Sequence, residues 1–299
     1  MTVPEFPEFR EVDILLKPVV KDFLRRFPVE ASEYTFTNIF AFRLGYEFEL
    51  SQLRNNLIMK RNKEPVSFFS PVGNSHIRET MKELFDYLNS ISDDACIERV
   101  PESFVKEFLA HDSDFIVQED RDNFDYLYTV QELIELKGRK FHDKKNRVNR
   151  FRADYEHEYI PLTPERIDEC IEFEHYWCEV RDCGKYPGLE KERCAILELL
   201  NNFEALDIRG GIIKTGGKIA ALTLGEKMLS DTFVIHVEKA HSHIPGLYQV
   251  INQEFLIHEA GDCRFVNREQ DLGEKGLRNA KMSYNPSGFV RKYKVREKT

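Results

Sequence analysis

The order of apolar patterns in the second half of the chain constrains its fold more than any other feature of the sequence. Apolar or alternating runs, which are typical of strands, stand at 157–163, 208–217, 218–227, 231–239, 263–267 and 288–295. Apolar residues three and four positions apart predict helices at 164–181, 189–206, 246–261 and 274–284. The resulting order, β-α-α-β-β-β-α-β-α-β, predicts one α/β domain over residues 156–299.

The first half alternates strands and helices in a similar way. Strand-like runs at 46–50, 56–60, 65–70, 96–100, 115–120 and 126–130 are interrupted by helical patterns at 76–91 and 101–110. Because 299 residues exceed the usual size of one domain, we expect two. The predicted division is an N-terminal domain over 1–136, a basic connecting helix over 137–155 and a C-terminal domain over 156–299.

Composition and charge narrow the class of protein. Hydrophobic residues make up 41% of the chain and its formal net charge is −9, which is typical of a globular protein with an acidic surface. The N-terminus lacks the basic head and apolar run of a secretion signal, and no window approaches the roughly 18 apolar residues of a membrane span. We therefore expect a cytoplasmic protein without a membrane span.

The six cysteines are scattered along the chain and form no CxxC pair. In a chain without an export signal, such cysteines are expected to stay reduced. Cys178 and Cys183 with His241 and His243 do not match the spacing of a common zinc site, so we predict no metal.

A basic stretch, KGRKFHDKKNRVNRF at 137–151, contains seven lysines and arginines in fifteen positions. Phe141, Val148 and Phe151 fall on one side of a predicted helix, and Lys144 lies inside that apolar seam. A lysine in such a position must extend to solvent or meet an anion. The other interpretation of the stretch is a solvated helix face.

The end of the chain carries Ala280, Tyr284, Gly288 and Phe289 in the pattern AxxxYxxxGF. Together with the element order, this pattern resembles the Gcn5-related N-acetyltransferase (GNAT) fold. Three runs, at 32–43 (SEYTFTNIFAFR), 138–151 and 267–295, resemble a bacterial family that is grouped with the C-terminal domain of phosphatidylglycerol lysyltransferases. More distantly, that family is similar to Fem-type peptidoglycan aminoacyltransferases.

The resemblance implies tandem acetyltransferase-like domains with mixed, mostly antiparallel sheets flanked by helices. It leaves open whether the first domain is degenerate. It also implies a donor substrate, acyl-CoA or aminoacyl-tRNA, with no covalently bound cofactor. Because no segment anchors the chain to a bilayer, activity on lipids is disfavoured.

In the GNAT fold the donor's phosphates lie at the N-terminus of the helix after the fourth strand, where free N–H groups favour anions. The matching segment here is 239–249, which makes His243, Gly246 and Leu247 the expected donor-binding residues. The segment has a single glycine, and Pro245 removes one N–H donor, which argues against binding of acyl-CoA in the usual manner. We expect a bulky residue at Gly246 to weaken donor binding while folding is nearly intact. A plain surface turn is the alternative.

Tyr284 matches the family's general acid, because a phenol can donate a proton to a leaving group at neutral pH. The other interpretation is a core tyrosine bonded to a backbone carbonyl. The predicted substrate contacts are the polar residues Asn267, Gln270 and Asp271, and Glu269 is predicted to bind or deprotonate the attacking amine. Asp271 could instead cap the following helix, with Glu274 completing a capping box. His241 and His243 are alternative bases.

Two hypotheses from different classes follow. The first is a transferase that moves an acyl or aminoacyl group to an amine or hydroxyl. The second is a non-catalytic protein that binds an anionic, phosphorylated ligand. In both, Lys144, Lys145 and Arg147 lie near the anion, tRNA or CoA, in a groove between the two domains. The sequence leaves the oligomeric state open.

Overall fold

A computed structural model describes residues 2–110 and 112–298. The chain forms two compact units. Unit 1 comprises the chain up to Asp125 together with the segment from Val290 onward, and unit 2 comprises Tyr126–Phe289.

Unit 1 contains a seven-stranded sheet with the order β1-β2-β3-β4-β5-β14-β6. Its strands are β1 (Arg10–Glu11), β2 (Phe48–Leu53), β3 (Asn56–Arg61), β4 (Ser67–Phe69), β5 (Ile97–Pro101), β6 (Phe115–Glu119) and β14 (Lys292–Glu297). Its helices are α1 (Lys17–Arg26), α2 (Phe36–Tyr46), α3 (Ile77–Ile91) and the short α4 (Glu102–Phe104), which continues as a π-helix over Val105–Leu109. β4 and β5 pair in parallel, whereas β1/β2, β2/β3, β3/β4, β5/β14 and β6/β14 are antiparallel.

The core of unit 1 forms where the amphipathic helix α3 covers the sheet. Met81, Leu84, Phe85 and Leu88 recur at three- and four-residue spacing and are fully buried against the strands. This spacing is the pattern that predicted the helix from the sequence.

Unit 2 contains a second seven-stranded sheet with the order β13-β7-β12-β11-β10-β9-β8. Its strands are β7 (Asp125–Thr129), β8 (His157–Pro161), β9 (Arg209–Thr215), β10 (Lys218–Lys227), β11 (Thr232–Ala240), β12 (Phe265–Asn267) and β13 (Gly288–Val290). Its helices are α5 (Val130–Glu135), α6 (His142–Asp154), α7 (Ile167–Arg181), α8 (Pro187–Asn201), α9 (Phe203–Leu206), α10 (Leu247–Glu259) and α11 (Lys275–Met282). Here β11/β12 is the parallel pair.

The core of unit 2 lies between this sheet and α10. Leu247, Val250, Ile251 and Phe255 of α10 are fully buried, and they share a core with Phe151 of α6. The basic helix therefore belongs to unit 2 and packs against α10.

The two units repeat one motif. In each, a helix joins two neighbouring parallel strands: α3 between β4 and β5, and α10 between β11 and β12. The predicted mixed, mostly antiparallel sheets flanked by helices are confirmed.

The structure divides the chain differently from the predicted boundaries of 1–136, 137–155 and 156–299. The last apolar run was expected to be one strand, but it breaks at Arg291 into β13 and β14. β14 pairs with β5 and β6 of unit 1, while β7 pairs with β12 of unit 2. The chain therefore enters unit 2 at Tyr126 and returns to unit 1 at Val290.

Among residues 2–110 and 112–298, no helix combines the length and apolar character that a membrane crossing requires.

Candidate active site

The parallel strands β11 and β12 separate at one point, which we call the strand gap. Their last registered pair is Val234 with Asn267, but β11 continues to Ala240. On its other side, β11 pairs with β10, and the register of that pairing shifts by one residue at His236. A bulge of this kind redirects side chains and is common beside active sites. The strand gap exposes side chains of β11 to the residues that follow β12.

Arg268 occupies the strand gap. Its Nη2 donates to Oε1 of Glu238 on β11 over 2.7 Å, and Asn252 of α10 donates to Oε2 of the same carboxylate over 2.8 Å. The guanidinium lies 4.7 Å from the ring centroid of Tyr284 and 5.6 Å from that of Tyr128. Its Nη1 is buried and has no hydrogen-bond partner within the part of the chain that the structure describes. The guanidinium thus keeps one buried N–H donor without a partner there, next to the ring of Tyr284.

Tyr284 lies between two cations. Besides Arg268, the Nζ atom of Lys144 stands 4.2 Å from the centroid of its ring. Burial raises the pKa of Tyr284 to about 12, although the charge of Arg268 and the amide of Gln249 oppose this shift. The phenol is therefore protonated at neutral pH, as a proton donor must be.

Glu269, the predicted base, is one of two carboxylates bound to His236. The Nδ1 atom of His236 is 2.9 Å from Oε1 of Glu269, and its Nε2 atom is 3.2 Å from Oε1 of Glu226. Burial opposes charging of the imidazole, but these two hydrogen bonds outweigh it and raise the pKa of His236 to about 9. His236 is therefore an imidazolium at neutral pH, and it donates one N–H to Glu269 and the other to Glu226.

The three predicted substrate contacts in the NREQD segment have different surroundings. Asn267 is fully buried, and its Oδ1 accepts from the backbone N–H of Glu269 over 2.8 Å, so it positions Glu269. Gln270 is half-buried, and its Oε1 has no hydrogen-bond partner among residues 2–110 and 112–298. Gln270 therefore keeps a buried acceptor atom that no group in the described chain satisfies.

Asp271 is neither a helix cap nor a free ligand. It is fully buried and accepts from the Tyr126 hydroxyl over 2.6 Å and from Nε and Nη2 of Arg278 over 2.9 and 2.8 Å. Burial alone would raise its pKa, but these hydrogen bonds lower it to about 2. The N-cap of α11 is Glu274, so the predicted capping box is wrong.

The predicted donor-binding residues lie in the loop before α10 and at its first turn. Gly246 has a φ of 88°, and a Cβ atom there would stand 2.4 Å from the backbone oxygen of Arg147. A glycine is therefore needed because α6 crosses the start of α10 at close range. The expectation that a bulky residue at Gly246 leaves folding intact is wrong for this reason. Leu247 is fully buried and His243 is exposed.

The basic helix places Lys144 in its apolar seam, with its Nζ beside the ring of Tyr284. Lys144 Nζ donates to the Ser283 hydroxyl over 2.6 Å. Partial burial and the charges of Arg147 and Arg268 lower the pKa of Lys144. Lys145 and Arg147 are exposed, and within residues 2–110 and 112–298 neither side chain has a hydrogen-bond or ion-pair partner. We call Lys144, Lys145 and Arg147 the basic strip.

The expectation that every cysteine is reduced is wrong for one pair. Cys178 and Cys183 form a disulfide, and their Cα atoms are 5.1 Å apart. Asp182, with a φ of 58°, ends α7 and turns the chain back so that the two sulfurs meet. The rings of His241 and His243 stack at 5.3 Å. Across the described residues, no three His, Cys, Asp or Glu side chains group to hold a metal ion.

Sequence reasoning missed His236, Glu238, Arg268 and Glu226. The signal was present, because His236 and Glu238 interrupt the apolar run of β11 at alternate positions, on one face of the strand. Arg268 lies inside the segment that was singled out, but its partner on β11 depends on the parallel pairing of two distant strands.

Comparisons with known proteins show which family the chain belongs to. A conserved protein of unknown function from Bacteroides thetaiotaomicron VPI-5482 has a crystal structure that is 35% identical, covers 97% of this chain and 99% of its own, and superposes with a TM-score of 0.90. An uncharacterized protein of Mycoplasmoides gallisepticum is 23% identical over 185 residues. That match covers 60% of this chain and 58% of the relative, which is less than two thirds of the relative's length.

Two more distant structures share the fold alone. L-PGS of Bacillus licheniformis is 14% identical, with a TM-score of 0.65 over 100% of this chain and 95% of its own. A tandem GNAT protein from the clavulanic acid biosynthesis pathway is 8% identical, with a TM-score of 0.52 over 97% and 98%. The predicted tandem acetyltransferase-like fold is thereby confirmed.

The family described as phosphatidylglycerol lysyltransferase, C-terminal, matches residues 24–296, which is nearly the whole chain, and the protein belongs to that family.

Proposed function

We propose that unit 2 transfers an acyl or aminoacyl group from a phosphate-bearing donor to an amine or hydroxyl acceptor, with the chemistry at the strand gap. The observation that carries the proposal is the pair formed by Arg268 and Tyr284. A buried guanidinium with one N–H donor lacking a partner in the described chain lies against a protonated phenol. Charge that develops on a carbonyl oxygen is stabilised by such a fixed donor in a water-poor site.

The proton balance of the reaction fits these residues. The acceptor's nitrogen or oxygen attacks the donor carbonyl, and the bond from the carbonyl carbon to the leaving thiol or ribose oxygen breaks. Tyr284 gives its proton to that leaving atom, and Glu269, held by His236, takes the proton that the acceptor loses. Arg268 stabilises the oxyanion between these steps.

The basic strip is suited to bind a large polyanionic donor. Lys145 and Arg147 are exposed on the helix that also brings Lys144 to the ring of Tyr284, so phosphates bound there would lie next to the reacting atoms. Aminoacyl-tRNA and acyl-CoA both carry phosphates. The close contact of Gly246 with Arg147 restricts the approach of a pyrophosphate to the start of α10, which favours aminoacyl-tRNA.

The experiment is a comparison of donors. Purified protein is incubated with total tRNA charged with labelled amino acids, or with an acyl-CoA, in the presence of amine and hydroxyl acceptors. The proposal predicts that one donor class is consumed faster than it hydrolyses in buffer, and that the label moves to the acceptor. If the folded protein accelerates neither reaction, the transferase proposal fails.

A second candidate is a non-catalytic protein that binds a phosphorylated ligand on the basic strip. The observation that favours it is the same tight packing at Gly246, where acetyltransferase-like enzymes leave room for the donor's phosphates. This candidate predicts tRNA or CoA binding with no donor consumption. The donor comparison therefore separates the two functions once binding is measured alongside turnover.

A further inference from the structure

The disulfide of unit 2 closes the C-terminal end of α7. Cys178 and Cys183 are both buried, whereas the residues between them, 179–182, are exposed. The closed loop is short, with a sequence separation of five. A small disulfide reagent therefore needs to open only this surface turn to reach the sulfurs.

One buried carboxyl group adjoins this pair. Glu174 lies one turn before Cys178 on α7 and is fully buried. Its Oε1 is 3.8 Å from the Sγ atom of Cys178, and its Oε2 has no hydrogen-bond partner within residues 2–110 and 112–298. Burial raises the pKa of Glu174 to about 7, and the charge of Lys239 opposes that shift.

The sulfur of a disulfide carries no hydrogen, so in the oxidised pair Cys178 cannot donate to Glu174. A thiol at the same position can donate, although weakly. Lys239 does not donate to Glu174 in place of the thiol. Its Nζ pairs with Glu192 over 2.7 Å and lies 3.7 Å from the centroid of the Trp177 ring. A buried carboxylate without a donor is costly, and the Cys178 thiol of the reduced state supplies a donor.

We propose that Cys178 and Cys183 form a reversible thiol–disulfide modification site, and that Glu174 favours its reduced form by accepting a hydrogen bond from the Cys178 thiol. In oxidation by a small-molecule disulfide, one cysteine thiolate attacks the reagent and releases its first thiol. The second cysteine thiolate then attacks the mixed disulfide and releases the second thiol. The protein loses two electrons and two protons, which the two released thiols carry.

The site adjoins the loop that enters α10. Trp177, next to Cys178, donates its indole N–H to the backbone oxygen of Ala240 over 3.0 Å. Phe173 and Tyr176 of the same helix contact the ring of His241 at 5.2 and 5.4 Å. A change in the last turn of α7 therefore reaches the segment between β11 and α10.

The first test counts thiols. Protein equilibrated with oxidised or reduced dithiothreitol is denatured and alkylated, and its mass is measured. We expect two fewer alkylated cysteines after oxidation, and peptide mapping should assign them to Cys178 and Cys183. Six alkylated cysteines under both conditions would overturn the proposal, since the chain contains six.

Trp177 gives a second readout, because it is the single tryptophan of the chain and adjoins Cys178. We expect its fluorescence to change reversibly with the ratio of reduced to oxidised dithiothreitol, and the change to be absent in Cys183→Ser. A change that persists in Cys183→Ser, or no change in the wild type, would count against the site.

Glu174→Gln tests the role of the carboxyl group. Without the charged acceptor, the reduced form loses its advantage, so the midpoint should move to a ratio of reduced to oxidised dithiothreitol on the order of fivefold higher. The matched control is Glu172→Gln, an exposed residue of the same helix, which should leave the midpoint unchanged. Equal midpoints in both variants would remove Glu174 from the proposal.

Discussion

His236 shows how one residue sets the charge of the candidate active site. It is held as a cation between Glu226 and Glu269 on the bulged part of β11, and its side chain is only 4% exposed. A neutral residue at this position would leave two carboxylates in a partly buried site without their shared partner. His236 is therefore expected to be needed for stability as well as for holding Glu269.

The raised pKa of His236 predicts how stability depends on pH. Because the folded-state pKa of about 9 lies above the ordinary value of 6.5, the folded protein keeps a proton that the unfolded chain loses. The stabilisation is fully present below pH 6.5 and is lost as the pH rises through 9. Over this window, we expect the free energy of unfolding to fall by an amount on the order of 3 kcal/mol.

His236→Gln provides the comparison, measured by urea unfolding at pH 6 and pH 9. The variant should be less stable than the wild type at pH 6, and the difference should shrink at pH 9. A pH-independent difference would mean that His236 is neutral in the folded protein. The mutation His157→Gln, at a partly buried histidine bonded to a backbone oxygen, is the control.

The sequence singled out Tyr284 and Glu269 as candidate catalytic residues because each has a local signature. Tyr284 belongs to a spaced pattern at the chain end, and Glu269 had no capping role to explain it. The roles of Asn267 and Asp271 were not predictable in the same way, because their partners are the backbone of Glu269 and the side chains of Tyr126 and Arg278. Only the fold brings these groups together.

The contact of α6 with the start of α10 requires a glycine at position 246. The mutation Gly246→Ala should destabilise the protein by roughly 2–3 kcal/mol, because the new Cβ would meet the Arg147 oxygen at 2.4 Å and the φ of 88° disfavours other residues. Chemical denaturation measures the change.

The control for this change is Gly276→Ala in α11. A Cβ there has open space, and alanine is a better helix former than glycine, so stability should rise by about 0.5 kcal/mol. If both alanine variants were equally stable, the close approach of α6 and α10 would not exist in solution.

The basic strip of α6 is expected to bind the phosphates of the donor. Replacing Lys145 and Arg147 with glutamate should weaken binding of the polyanionic donor at least tenfold and reduce the slope of log Kd against log salt concentration by about 1 to 2. The measurement is a titration with total tRNA and with CoA at two salt concentrations.

The control is the same charge change at Lys21 and Lys63 of unit 1, which are exposed. That variant should keep wild-type affinity. An equal loss of affinity in both double variants would show that binding follows net charge, and unchanged affinity in both would leave the strip as a solvated helix face.

The sheet of unit 1 is completed by β14, which lies between β5 and β6. Lys292 of β14 is fully buried, donates to Asp125 over 2.6 Å and also pairs with Glu33. Glu33 belongs to the run at 32–43 that resembled the family. A buried cation thus joins three distant segments of unit 1.

The mutation Lys292→Met should cost about 3–5 kcal/mol of stability, because Asp125 would lose this buried cation and Glu33 would keep only Arg99, 3.5 Å away. Hydrogen exchange of unit 1 amides would report the loss. Lys294→Met is the control, since Lys294 is 39% exposed and pairs loosely with Asp120 at 3.7 Å, so its change should stay within about 1 kcal/mol. Equal effects of the two changes would contradict the role of Lys292.

The sequence predicted the kinds of elements and their order well, because apolar periodicity is local. It did not predict the division of the chain. Residues 288–295 have one continuous strand pattern, yet β13 joins the sheet of unit 2 and β14 is placed between β5 and β6. The choice of sheet depends on partners nearly 200 residues away in the sequence, and neighbouring strands are usually expected to come from consecutive runs.

Turnover of the variant Tyr284→Phe tests whether Tyr284 donates a proton at the strand gap. The phenyl ring keeps the contacts with Lys144 and Arg268, so donor binding and folding should be nearly unchanged, while kcat should fall about 100-fold or more. The matched control is Tyr128→Phe, whose hydroxyl bonds the backbone oxygen of Lys281 over 2.8 Å and should cost stability more than turnover. A Tyr284→Phe variant with full turnover on the donor that the wild type consumes would contradict the claim.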